Sequence, residues 1–208
     1  MHFPQNTTKT ASLPKLQNQL SRLSIVFMTE HEDATLVQQC IEGDKRAFET
    51  LVEKYQKPMF NLALRMTRNH SDAEDIAQAT FLKAYENLRS FDPRYKFFSW
   101  LYRIAMNASL NFVNQRKQVE ELSEDISSDE KSAEESYDED QTSRSVQDAL
   151  MQLKADHRAV VVLKHLQCLS YDEISKILDI PEKKVKSRLF TARLMLKDVF
   201  IAKGLERK

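Results

Sequence analysis

The spacing of apolar residues predicts helices along most of this chain. In the first half, apolar positions recur every three or four residues, the period that places side chains on one face of an α-helix. We expect four helices here, namely residues 33–42 ending near Gly43, a long helix capped by Asp44, a helix that starts at a capping box of Ser71 and Glu74, and residues 98–117. Residues 90–97 should form a loop around Asp92-Pro93.

Residues 169–193 carry the most specific pattern, two short helices joined by a tight turn. Ser170 and Glu173 form a capping box, Asp179 and Ile180 make the turn, and Pro181 suits the start of the second helix. That helix has a seam of apolar residues and an outer face of polar and cationic ones: Val185, Leu189, Ala192 and Leu196 inside, and Lys183, Lys184, Ser187, Arg188 and Thr191 outside. A helix of this kind can enter a DNA major groove. The alternative is a surface hairpin with a solvated basic face.

Composition narrows the fold class and the chemistry. The 208 residues include only two glycines, which excludes Gly-rich phosphate loops and argues against a sheet with tight hairpins, so the fold should be all-α. Cys40 and Cys168 lack zinc-ligand spacing, and we interpret them as reduced core cysteines. The histidines form no metal-binding pattern, so we assign no catalytic residue, metal or cofactor. No apolar run approaches the ~20 residues of a membrane span.

Charge divides the chain into blocks although the formal net charge is zero. Residues 41–119 contain 13 Lys and Arg against 9 Asp and Glu, and residues 150–208 contain 13 against 7. Residues 120–140 contain 11 acids and one lysine. We therefore expect a disordered arm (1–32), a first helical domain (33–118), a flexible acidic linker (119–143) and a second helical domain (144–203).

Three runs of residues resemble the extracytoplasmic-function (ECF) subfamily of the sigma-70 family of bacterial RNA polymerase sigma factors. Residues 72–85 are similar to the polymerase-binding helix of sigma region 2, residues 98–107 to the helix after the promoter-melting loop, and residues 163–193 to the helix-turn-helix of region 4. The chain departs from the family pattern at Asn111, where Asp is usual, and at Lys183-Lys184, where Gly-Thr is frequent.

The resemblance implies three sets of site residues. Core polymerase would be bound by Asp72, Glu74, Asp75, Gln78, Phe81 and Lys83. The minus-ten element would be bound by Arg94, Tyr95, Lys96, Phe97, Asn107, Arg116 and Lys117. The minus-thirty-five element would be bound by Ser170, Lys183, Lys184, Lys186, Ser187, Arg188 and Arg193, with Arg188 the best candidate for reading a guanine.

The resemblance also implies the function and the partners. We expect a cytoplasmic transcription initiation factor that is not an enzyme, is monomeric when free and does not insert into a membrane. It would bind the clamp helices of the largest polymerase subunit, the polymerase flap, promoter DNA and an anti-sigma factor. The alternative is an ordinary helix-turn-helix regulator with a helical effector or dimerisation domain, which would not need the helix at residues 72–85.

Overall fold

A computed structural model describes residues 32–122 and 141–202, and within these ranges the chain is helical with no strand. The helices are α1 (residues 32–41), α2 (Lys45–Thr67), α3 (His70–Asn87), α4 (Phe97–Leu122), α5 (Gln141–Met151), α6 (Ala155–Val161), α7 (Tyr171–Leu178) and α8 (Glu182–Ala202). A 3₁₀ turn, Leu88–Ser90, follows α3, and a π-helical turn, Val162–Leu166, extends α6. None of the described helices is long and apolar enough to cross a membrane.

Helices α1 to α4 form the N-terminal half, and their boundaries follow from local chemistry. Gly43, with φ of 106°, provides the turn after α1, and the Asp44 side chain accepts a hydrogen bond from the Arg46 backbone at the start of α2, as predicted. The predicted start of α3 was wrong. The cap is Asn69, whose side chain accepts from the Asp72 backbone, so the helix already includes Ser71.

Helices α5 to α8 form the C-terminal half, and the predicted helix-turn-helix is confirmed there. Ser170 and Glu173 make the reciprocal capping box at the start of α7. Asp179 adopts a left-handed conformation with φ of 53° and ends that helix. Pro181 directly precedes α8, and its carbonyl accepts from the backbone N–H groups of Lys184 and Val185. The predicted seam is buried at Val185, Leu189 and Ala192 and half-buried at Leu196.

Two boundaries and one side chain differ from the sequence-based expectations. Helix α4 continues to Leu122 and α5 starts at Gln141, so helix extends into both ends of the segment predicted as linker. The predicted arm up to residue 31 and residues 123–140 lie outside the described residues. Cys168 is exposed, because the chain turns there with φ of 56°, whereas Cys40 is half-buried against the core.

The two halves pack against each other, which the sequence did not predict. Helix α4 lies against α6 and α7, and the C-terminal end of α2 contacts α5, α6 and the π-helical turn. One cluster of buried apolar residues runs through both halves, from Leu51 and Leu101 to Leu163, Ile174 and Leu189. This packing brings the helix-turn-helix beside the start of α4, where minus-ten residues were expected.

Candidate functional surfaces

Helix α3 presents the first candidate surface. Glu74, Asp75, Gln78 and Lys83 are exposed, as a docking surface requires. Phe81 is half-buried and, with other residues of α2 and α3, lines a shallow groove between these helices. The groove is lined by Val52, Gln56, Lys57, Phe60, Glu74, Ala77, Gln78 and Phe81. An apolar floor with polar and acidic edges suits a partner helix that carries both apolar and basic side chains.

Two exposed apolar residues of α3 are absent from the set of polymerase-binding residues that the sequence predicted. Leu82 is 63% exposed and Tyr85 is 49% exposed, next to the Phe81 groove. The Tyr85 ring packs edge-on against Phe48 at 4.9 Å between centroids. The helical period could have identified Leu82 and Tyr85 as exposed, because both lie off the buried face of α3. The buried positions are Ala73, Ile76, Ala77, Thr80 and Ala84.

The loop before α4 presents the second candidate surface. Arg94, Tyr95 and Lys96 are exposed there. A fork of hydrogen bonds from Arg94 to Asp92, at 2.6–3.0 Å, raises the pKa of the guanidinium and holds the pKa of the Asp92 carboxyl below its ordinary value. The loop therefore offers an aromatic ring between two cations, which suits unstacked bases.

Phe97 does not belong to that exposed set. It starts α4 and is buried, with its ring 5.8 Å from each of the Tyr55, Phe91 and Trp100 rings. Its side chain therefore has little surface to offer DNA in this arrangement, because an aromatic side chain at a helix start is drawn into the nearest apolar cluster, and its contact with the minus-ten element stays a prediction. Phe98 and Trp100 pack against the core, as expected.

The remaining minus-ten residues lie along α4. Asn107, Arg116 and Lys117 are exposed. Arg116 pairs with Asp72 of α3, with 3.5 Å between Nη1 and Oδ2. This contact joins a residue assigned to DNA with a residue assigned to polymerase, and Asp72 is consequently only partly exposed.

Helix α8 presents the third candidate surface. Lys183, Lys184, Ser187 and Thr191 are exposed on its outer face. Phe190 and Leu194, which sequence reasoning did not select, share the exposed side of this helix and are 65% and 50% exposed. Within the described part of the chain, Lys183 and Lys184 make no ion pair. This face can offer cations to phosphate oxygens, and hydroxyl and apolar groups to base edges.

Three predicted DNA-binding cations of α8 have partners within the C-terminal half. Arg188 does not point outward as predicted; it pairs with Asp156 of α6 and its side chain is only 20% exposed. Lys186 pairs with Glu182 at 3.1 Å and lies over the Tyr171 ring. Arg193 contacts His165 Nε2 at 3.2 Å. These contacts fix α8 against its supporting helices. The exposed residues near the start of α8 are then Lys183, Lys184 and Ser187.

Ser170 has a structural partner as well. Its hydroxyl accepts from the Glu173 backbone N–H at 3.2 Å and lies 2.8 Å from the Glu173 carboxylate.

Across residues 32–122 and 141–202, no three His, Cys, Asp or Glu side chains come together as a possible metal site.

Comparison with known proteins assigns both halves. The family profile for sigma-70 region 2 matches residues 51–119, and the profile for sigma-70 region 4 matches residues 143–196. The RNA polymerase sigma-H factor of Pseudomonas aeruginosa is 34% identical over 179 residues, covering 80% of this chain and 93% of the relative. The ECF RNA polymerase sigma factor SigW of Bacillus subtilis is 35% identical over 173 residues, covering 77% and 92%.

Solved structures agree with this assignment. CnrH in complex with the cytosolic domain of CnrY superposes with a TM-score of 0.63 at 27% identity, over 82% of this chain and 98% of that chain. The sigma factor RpoE in complex with the anti-sigma factor NepR, from Bartonella quintana, has the same fold, with a TM-score of 0.64 at 22% identity. The chain therefore belongs to the ECF subfamily of the sigma-70 family of RNA polymerase sigma factors.

Proposed function

We propose that this ECF sigma factor binds core RNA polymerase through α3, melts the minus-ten element with the loop before α4 and reads the minus-thirty-five element with the N-terminal part of α8. The observation that carries the proposal is the presence of both sigma regions in one chain that matches ECF relatives over more than nine-tenths of their length. A regulator with only a helix-turn-helix would not need a region 2, so that alternative is not favoured. The protein acts by binding rather than by catalysis. It does so in the cytoplasm, where polymerase and promoter DNA are found.

The polymerase-binding role rests on the chemistry of α3. Asp75 and Glu74 are exposed acids, and Phe81 and Leu82 supply apolar surface next to them. The resemblance assigns this face to the clamp helices of the largest polymerase subunit. An acidic and apolar face is suited to such a partner, because opposite charges orient the encounter and the apolar groups contribute affinity.

The DNA-binding roles rest on the exposed cations and aromatic ring of the two other surfaces. Arg94, Tyr95 and Lys96 would hold unstacked bases of the minus-ten element, while Asn107, Arg116 and Lys117 follow the adjoining duplex. Lys183, Lys184 and Ser187 would meet the minus-thirty-five element. Lys186, Arg188 and Arg193 would support that contact from positions tied to Glu182, Asp156 and His165.

We also propose that an anti-sigma factor controls this chain. The support is that the similar sigma factor RpoE was solved in complex with the anti-sigma factor NepR, and that the similar CnrH was solved in complex with the cytosolic domain of CnrY. The exposed apolar residues of α3 and α8, Leu82, Phe190 and Leu194 among them, provide surface that such a protein partner could cover.

Competition for core polymerase tests the proposed function. The double variant Asp75→Arg with Phe81→Ala should lose at least tenfold in affinity for core polymerase, since one exposed acid is reversed and one apolar anchor is removed. Glu42→Arg, an exposed acid outside α3, carries the same charge change as a control and should bind as the wild type does. Equal binding by wild type and double variant, with both helical by circular dichroism, would contradict the α3 assignment.

A further inference from the structure

Two lysines from different elements approach the ring of Tyr171, the first residue of α7. The Lys164 ammonium, from the π-helical turn, is 4.7 Å from the centroid of this ring, and the Lys186 ammonium, from α8, is 5.3 Å from it. The face of an aromatic ring carries partial negative charge, so it attracts a cation at such distances. One ring therefore serves two like charges at the start of the helix-turn-helix.

Lys164 has a structural role in this cluster. It is half-buried, and its Nζ donates to the carbonyl oxygen of Leu169 at 2.9 Å, in the turn that leads into α7. The Tyr171 side chain is half-buried as well and packs against the apolar core. Lys164 and the core together fix the orientation of the ring.

Lys186 is the exposed member of the cluster. Its side chain is 55% exposed, and its Nζ lies 3.1 Å from Glu182 Oε2, one turn earlier on α8. An ion pair of this spacing on a helix surface is weak, and a lysine side chain has considerable rotamer entropy, so Glu182 alone restrains Lys186 poorly. The ring supplies a second contact, and the ammonium stays accessible to solvent.

We infer that Tyr171 is a positioning residue for promoter binding, whose ring holds the Lys186 ammonium in place for a phosphate of the minus-thirty-five element. This role rests on the proposed function, in which Lys186 supports the contact of α8 with that element. A lysine that is already restrained loses less conformational entropy when a phosphate binds it. The phosphate takes the place of Glu182 as the anion, while the ring keeps its contact with the ammonium.

Two replacements of nearly the same shape test the role of the ring. Tyr171→Phe keeps the negative face of the ring, whereas Tyr171→pentafluorophenylalanine reverses the charge of that face and still fills the same space. Promoter binding by the holoenzyme should stay within about twofold of the wild type for Tyr171→Phe. It should weaken roughly two- to fivefold for the fluorinated ring, the scale of one exposed cation–π contact.

A double-mutant cycle with Lys186→Ala separates positioning from stability. Lys186→Ala alone should weaken promoter binding and lower its salt slope by about one unit, as the loss of a phosphate contact does. In that background the fluorinated ring should have no further effect, because the cation that it positions has been removed. Leu178→Ala, which truncates a half-buried side chain at the other end of α7, is the structural control. Its effect should be the same factor with Lys186 and without it.

Nuclear magnetic resonance of the free chain checks the geometry without DNA. The ring current of Tyr171 should move the ε-methylene protons of Lys186 upfield of those of Lys184, an exposed lysine of the same helix. Tyr171→Phe should preserve this difference. Equal shifts for the two lysines in the wild type would overturn the contact between the ring and Lys186.

The binding experiments can also overturn the inference. Equal affinities for Tyr171→Phe and Tyr171→pentafluorophenylalanine would exclude the charge of the ring as the cause. An undiminished effect of the fluorinated ring beside Lys186→Ala would make Tyr171 a structural residue, and unchanged binding by Lys186→Ala alone would remove the phosphate contact. Failure of the proposed function differs from all of these, because the wild-type holoenzyme would then bind no promoter. A wild type that binds promoter while one of these results is obtained leaves the function standing and removes only this inference.

Discussion

At the scale of single residues, the cations of α8 divide into two groups by exposure and pairing, and we expect the two groups to have different tasks. Lys183 and Lys184 face solvent, whereas Arg188 is held by Asp156 and is mostly covered. An arginine held in this way fixes the position of α8 on α6, and it has little exposed surface for a base edge. Lys183 and Ser187, near the start of the helix, are then better placed to read sequence.

Substitutions on α8 should separate these tasks. Lys184→Ala should weaken holoenzyme binding evenly across a panel of single-base promoter variants and lower the salt slope by about one unit, as expected for a phosphate contact. Arg188→Ala should also act evenly across the panel, because its main contact is Asp156. Loss of preference at one base position in Arg188→Ala, by ~1–3 kcal/mol, would instead make Arg188 the base reader.

The contact of His165 with Arg193 should appear in a proton titration. Burial, followed by the charges of Arg193 and Lys164, lowers the pKa of His165 below its ordinary 6.5. The unfolded chain therefore takes up this proton first, so the contribution to stability declines as the pH falls through 6.5. Nuclear magnetic resonance should give a His165 pKa below 6.5 that rises in Arg193→Ala. A value at or above 6.5 in the wild type would contradict this geometry.

The sequence predicted the buried seam of α8 but not the partners of its cations. Val185 and Leu189 follow the helical period, which depends only on local spacing. Arg188 lies at the margin of that seam, and its pairing with Asp156, 32 residues away, carries no local signal. The burial of Phe97 is only partly of this kind, since Tyr55 comes from α2 whereas Phe91 and Trp100 lie within six residues of Phe97 in the sequence.

At the scale of elements, helix starts show how a capping signal can mislead. The pattern of Ser or Thr followed three residues later by Glu occurs at Ser170 and at Ser71. Of these two serines, Ser170 forms a capping box and Ser71 does not. Upstream of Ser71, Asn69 offers a side-chain acceptor two residues earlier, and an extended backbone there lets it reach the Asp72 N–H at 3.0 Å.

Thermal unfolding of two variants should confirm which residue caps α3. Asn69→Ala should destabilise the protein by about 1 kcal/mol, because it leaves a backbone N–H of the first turn without its side-chain acceptor. Ser71→Ala should change stability by less than ~0.5 kcal/mol, since Ser71 is an exposed residue within the first turn. The reverse order of effects would restore Ser71 as the cap.

At the scale of the whole molecule, the sequence predicted two helical halves and three binding surfaces, but not the docking of the halves. The helices follow from apolar spacing within each half. The docking depends on main-chain carbonyl oxygens at the end of α2. The carbonyls of Leu64 and Arg65 accept from Gln147 of α5, and the carbonyl of Met66 accepts from Arg158 of α6, more than 90 residues away. Carbonyl groups have no sequence signature, so only the folded chain could show this contact.

The central claim is that one chain joins polymerase binding to promoter recognition, and transcription from a mixed library of promoter fragments tests it most directly. Core polymerase supplemented with the wild-type chain should yield transcripts whose start sites share a minus-ten and a minus-thirty-five element. The variant with Asp75→Arg and Phe81→Ala should yield none above core polymerase alone, and Lys184→Ala should yield fewer transcripts from the same sites. Transcripts that are no more frequent than with core polymerase alone, or that share no upstream elements, would contradict the account.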